Sequence, residues 1–197
     1  MNALVPLVVL IPLIAAAAAL VFGRNRAAQR WIAILALAAV LVIGVVMVFA
    51  VDTAPLVMEV GGWQAPFGIV LIVDRLSALM VAVSALVLLA VLIFSVGQGL
   101  ADGDDETPVS IFFPTYLILG AGVFTAFIAG DLFNLYVGFE ILLVASYVLM
   151  TLGGTTERIR AGTTYIVVSL VSSVLFLASI AMIYAAVGTV NIAQISL

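Results

Sequence analysis

An all-α integral membrane protein with about six transmembrane helices is the fold class this sequence predicts, and three observations predict it. Of the 197 residues, 66% are hydrophobic and 8% charged, where soluble domains run nearer half and a quarter. The mean hydropathy is +1.44. The apolar residues also fall into separate runs of about 20, the length that crosses a ~30 Å hydrocarbon layer at ~1.5 Å per residue.

That ruler places helices near 3–22, 31–51, 75–97, 110–129, 131–150 and 163–187. The first run has small-residue sites at Ala15–Ala19 that resemble a signal-peptide cleavage region. No positive residue precedes it, however, and arginines follow it instead, so it reads as a retained span. Between the second and third helices lies "APLVMEVGGWQAPFGIVLIVD" (54–74), too broken by Gly and Pro to span. Short β-prone runs flank Gly61-Gly62, which predicts a small hairpin on the outer face. A single helix over 110–150 would be about 60 Å long, twice the hydrocarbon thickness. The chain must therefore reverse at Gly130-Asp131, with Gly permitting the turn and Asp131 capping the next helix. Two regions follow: 1–109, three helices with the hairpin, and 110–197, a second group of helices.

The cations fix a topology. All six are arginines: Arg24, Arg26, Arg30, Arg75, Arg158 and Arg160. "GRNRAAQR" (23–30) and "GGTTERIR" (153–160) fall on the same side of a six-span chain, and the positive-inside rule puts that side in the cytoplasm. Both ends of the chain then lie outside. The acidic loop "ADGDDETP" (101–108) shares the cytoplasmic side, although acids carry little weight in that rule. Asp102, Asp104, Asp105 and Glu106 read as solvated loop charges, as do Asp52 and Glu59.

Composition also narrows the chemistry. Histidine, cysteine and lysine are absent, which removes disulfides, thiolate and lysine chemistry and the commonest transition-metal ligands. No cofactor motif, metal site or enzyme reaction is implied. The net charge of −4 gives no reason to expect nucleic acid.

Glu140 is the exception within the apolar runs. It lies in "GDLFNLYVGFEILLVASYVLM" (130–150), about nine residues or ~14 Å inside the fifth helix, near the midplane. An ionised acid at that depth costs several kcal/mol, so intramembrane carboxylates mark ion pathways by default. A structural hydrogen bond to another helix is the alternative. Arg158 is about 27 Å away even along a continuous helix, and Arg75 starts its helix at the outer face, so the chain supplies no cation. At ~100° per residue, Phe133, Tyr136, Glu140, Val144, Tyr147 and Thr151 share one stripe. Tyr165, Ser169, Ser172, Phe176 and Ser179 share one face of the sixth helix. Tyr136, Tyr147, Thr151, Ser169, Ser172 and Ser179 are thus candidates for a hydrated proton path, beside the plain reading that small hydroxyl residues let helices pack closely. Asp74-Arg75 is a possible supporting pair, although a cap and a snorkelling arginine explain both. Asp131 is a possible supporting group at the mouth of the path; Asn134 has no evident role.

"GDLFNLYVGFEILLVASYVLMTLGGT", the preceding "FFPTYLILGAGVFTAFIA" and the upstream "GGW...FGIVLIVDRLSALM" resemble the D-type subunits of the Mrp-type multisubunit sodium/proton antiporters. That family is similar to the antiporter-like subunits of respiratory complex I. The resemblance implies the N-terminal part of a proton-conducting subunit, with 110–197 the incomplete first part of a helix repeat. It implies that the glutamate matching Glu140 pairs with a lysine on a seventh helix, which this sequence does not include. The expected partners are other membrane subunits, protons, sodium ions and the lipid bilayer of a prokaryotic plasma membrane. A proton-pumping subunit of complex I or of a membrane-bound hydrogenase is the alternative; a non-transporting scaffold, in which Glu140 tolerates leucine, is another.

Overall fold

The computed structural model describes residues 3–52, 54–63, 65–98, 111–152 and 156–196. The acidic residues of 101–108 lie outside them. The long helices are α1 (Leu4–Val21), α2 (Arg26–Ala50), α3 (Arg75–Gly97), α4 (Phe112–Ile128), α5 (Leu132–Thr151) and α6 (Thr156–Val187), followed by a single turn, α7 (Ile192–Ile195). Five of them, α1, α2, α3, α5 and α6, are long and apolar enough to cross a membrane; α4 is apolar but has 17 residues.

Two helices begin before the sequence ruler starts them. The α2 helix starts at Arg26, where the Asn25 side chain accepts from the Ala28 backbone N–H at 3.0 Å. The α6 helix starts at Thr156 and carries Arg158 and Arg160 in its first turns. Hydropathy reads the edge of the hydrocarbon, whereas a helix ends where its backbone groups find caps. Both helices therefore project polar turns beyond the apolar span.

The 54–74 segment pairs β1 (Leu56–Glu59) with β2 (Val70–Val73) in antiparallel register, Leu56 opposite Val73 and Glu59 opposite Val70. The reversal lies between Glu59 and Val70, with Gly61 and Gly62 in left-handed backbone at φ 71° and 75°.

The core sits among α1–α4, where Val5, Val8, Leu37, Val40, Val81, Phe113, Phe124 and Ile128 are fully or almost fully buried. Helix α5 packs on α4, and α6 on α5. The outer faces of α3 and α6 expose Leu79, Val83, Leu86, Val167, Val171 and Leu175. Lipid tails solvate such residues as well as a protein core does.

Two glycine contacts position α5. A Cβ at Gly122 would lie 2.6 Å from the Leu142 backbone nitrogen, and one at Gly138 would lie 2.8 Å from that of Ala126. Only hydrogens at both positions let the two backbones touch. The reversal before α5 is tied down too. Gly130 N–H donates to the Val70 carbonyl at 2.8 Å, Leu132 N–H to Val190 at 2.9 Å, and Ile192 N–H to Gly130 at 3.1 Å. Gly130 is not needed for a positive φ; it is needed because a Cβ there would meet the Val70 oxygen at 2.6 Å. The hairpin, the α4–α5 reversal and residues 190–192 thus form one stitched end, and the antiparallel helices carry the α1–α2 connection to the other.

Gly138→Ala should force α4 and α5 apart and lower stability by about 1–3 kcal/mol, as overpacking does. Gly97→Ala, with no atom near its added methyl, should be neutral. Thermal unfolding in detergent checks both.

Candidate functional site

The site is built on α5. Asp131 Oδ1 accepts from the Asn134 backbone N–H at 2.7 Å, so the helix starts with a satisfied cap. Glu140 follows in mid-helix, half-buried. Its partner comes from α6: Ser173 Oγ donates to Glu140 Oε1 at 2.5 Å. Tyr136, one turn earlier on α5, brings its hydroxyl to 3.2 Å from the same Ser173 oxygen. Phe176 meets both Tyr136 and Phe139 edge-on, each with ring centroids 5.8 Å apart, and Phe133 lies 6.4 Å from Tyr136. Three oxygens are therefore joined beside a cluster of aromatic rings.

The other path candidates sit differently. Tyr147 packs edge-on against Tyr165 at 5.5 Å. Thr151 Oγ1 donates to the Tyr147 carbonyl of its own helix at 2.9 Å. Ser169 is buried. Ser172 and Ser179 are exposed and donate one turn back, to Val168 at 3.0 Å and Leu175 at 2.8 Å. The structure brings Tyr136 to Glu140 through Ser173, which the hydroxyl pattern passes over, and turns Ser172 and Ser179 away.

The reason is rotational. Gly162, Ser169, Ser173 and Ile180 are the buried residues among those described in α6. At ~100° per residue they centre about 60° from Tyr165, whereas Ser172 and Ser179 lie about 20° and 40° to its other side. The hydroxyl count centres the face on Tyr165. The spacing of small and apolar residues, seven, four and seven apart, identifies the contact face and was the available signal.

At the stitched end, Asp131 is 4% exposed and stands about half a turn away from Glu140 around α5. It caps the helix and is bridged to Asn191 rather than lining the Glu140 stripe. Asp131 Oδ2 and Asn134 Nδ2 are buried with no hydrogen-bond partner among the described residues. Asp74 caps α3 by accepting from Ser77 N–H at 2.7 Å, and that bond holds its carboxyl below its ordinary value of 3.8. Arg75 pairs with Asp52 across an exposed surface, an arrangement worth little in stability. At the far end of α5, Arg158 Nη1 donates to the Leu152 carbonyl at 2.7 Å, a cation at the negative end of the helix.

Because the folded carboxyl of Asp74 is depressed, its stabilisation is present above the unfolded value and is lost as pH falls through the folded one. Asp74→Ala should cost about 1 kcal/mol at neutral pH, and the gap from wild type should close below the ordinary value of 3.8. Unfolding temperatures measured across that range check this.

Comparisons with known proteins give the chain's relatives. Residues 129–197, which contain Asp131, Glu140 and Ser173, match a family model described as NADH:quinone oxidoreductase/Mrp antiporter, transmembrane. The D-type subunit of the Na(+)/H(+) antiporter of Alkalihalophilus pseudofirmus is 39% identical over 197 residues, covering 100% of this chain and 39% of that protein. A subunit in the Mrp complex structure from a Dietzia species superposes with TM-score 0.87 at 32% identity, over 98% of this chain and 36% of that one. A chain of the membrane-bound sulfane sulfur reductase, an archaeal respiratory membrane complex, gives TM-score 0.87 at 27% identity, over 99% and 39%. Over its whole length the chain is similar to antiporter-like membrane subunits, and it spans about two-fifths of the length of the curated antiporter relatives it matches.

Proposed function

We propose that the chain is part of a membrane subunit of a multisubunit sodium/proton antiporter, and that Glu140 takes up and releases the transported proton. The observation that carries this reading is a carboxylate in the middle of an apolar helix whose bonded neighbour is a hydroxyl, Ser173, and not a cation. A half-buried acid bonded to no cation among the described residues is suited to changing its charge. A cation on a further helix would complete the pair, as the resemblance implies for the family. Two unit charges about 4 Å apart interact by about 4 kcal/mol at an effective dielectric of 20. A proton on or off Glu140 would then decide whether that neighbour holds its own proton, and charge would pass along buried water. The driving force is the proton gradient, and the assembly includes other membrane subunits. The arginine-bearing connections at 23–30 and 153–160 face the cytoplasm of a prokaryotic cell, by the positive-inside rule.

A second reading is a proton-pumping subunit of a redox-driven complex. The similarity to the archaeal respiratory complex favours it. The two readings share the chemistry of Glu140 and differ in partners, so the soluble subunits that co-purify distinguish them.

Glu140→Gln keeps an acceptor for Ser173 and removes the exchangeable proton. In the intact complex it should lower antiport by roughly 100-fold or more and abolish sodium tolerance; undiminished antiport and tolerance would end the proposal.

A further inference from the structure

The three-oxygen chain from Tyr136 through Ser173 to Glu140 has a direction, fixed by its hydrogens. A serine hydroxyl carries one hydrogen, and that of Ser173 is donated to Glu140 Oε1 at 2.5 Å. The 3.2 Å contact with Tyr136 must then run from the phenol O–H to the serine oxygen. With Glu140 ionised, both hydrogens point at the carboxylate.

This behaviour is unusual on these helices. Ser146, Thr151, Ser172 and Ser179 donate to carbonyls one turn back on their own helix, the ordinary way a helical hydroxyl is satisfied. Ser173 bonds between helices instead. Helix α4 contains no charged residue, and the buried face of α6, Gly162, Ser169, Ser173 and Ile180, brings none to Glu140.

We infer that Tyr136 and Ser173 form a proton relay that loads and unloads Glu140 from the hairpin side of the membrane. The inference rests on Glu140 being the proton-exchanging group. A proton arriving at the Tyr136 oxygen forms a new O–H bond there. The phenol's original hydrogen passes to Ser173 Oγ, and the serine's passes to Glu140 Oε1. Counting the O–H bond given up by the hydronium that delivers the proton and leaves as water, three O–H bonds break and three form, so the one added proton ends on the carboxylate while both hydroxyls keep their composition. Unloading is the reverse. The hairpin side is assigned because Tyr136 lies four residues before Glu140, about 6 Å closer to the Gly130-Asp131 reversal, which is bonded to β2. Toward the opposite end, Thr151 is turned back on its own helix. Phe176 and Phe133 hold the phenol ring in place.

The test uses the intact complex in membranes, with two readouts: antiport rate, and the infrared carbonyl band of protonated Glu140, assigned by its loss in Glu140→Gln. Ser173→Ala and Tyr136→Phe should each slow antiport roughly tenfold or more, the scale for losing a charge-assisted hydrogen bond. Ser173→Ala should also shift the band, and the double variant should be no slower than the slower single one, since both residues serve one chain. Ser173→Thr, which keeps the hydroxyl, should retain the rate and the band. If Glu140→Gln stops antiport while Ser173→Ala and Tyr136→Phe run at the wild-type rate, the relay is overturned and the role of Glu140 stands. A slowed Ser173→Ala with an unmoved band also overturns it, because the serine is then only packing. Full activity in Glu140→Gln overturns the functional reading itself.

Discussion

A carboxyl group placed in hydrocarbon needs compensation, and the hydrogen bond from Ser173 to Glu140 supplies it from within the chain. An isolated ionised acid there costs several kcal/mol, and a hydrogen bond to a charged group returns about 1.5–3 kcal/mol of that. The compensation is partial. A perfectly paired carboxylate would be inert; an unpaired one would be too costly to keep. Glu140, bonded to one hydroxyl, lies between those limits, as the proposed proton exchange requires.

The position of that bond depends on backbone contacts that no charged residue makes. The hydrogens of Gly122 and Gly138 let α5 lie directly on α4, and the Gly130 reversal is held to the hairpin and to residues 190–192 by main-chain bonds. Asp131 then fixes where α5 begins, and the helical repeat fixes where Glu140 points. On α6, Gly162, Ser169, Ser173 and Ile180 choose the face that meets α5. The rest of α6 is left to lipid or to further protein.

Much of this was legible in the residues, for a physical reason. Hydropathy over about 20 residues reports the hydrocarbon thickness directly, so all six long helices and the need for a reversal near Gly130 could be read. Helix starts at Arg26 and Thr156 could not, because the polar first turns lie beyond the apolar signal. The depth of Glu140 follows from counting along α5, and Tyr136 follows from the same stripe. Ser173 escaped because hydroxyls alone do not define a contact face; Ser172 and Ser179 fit the hydroxyl pattern yet face outward. The role of Gly130 in accommodating the Val70 carbonyl is a tertiary contact that local sequence does not encode.

Everything functional here requires that the acid in mid-helix change its protonation state while the protein works. Infrared difference spectroscopy of the assembled complex, titrated across its working pH range, measures this directly. A carboxyl band that rises and falls with pH, and vanishes in Glu140→Gln, is the predicted result. A spectrum in which that acid holds one state throughout would contradict the account.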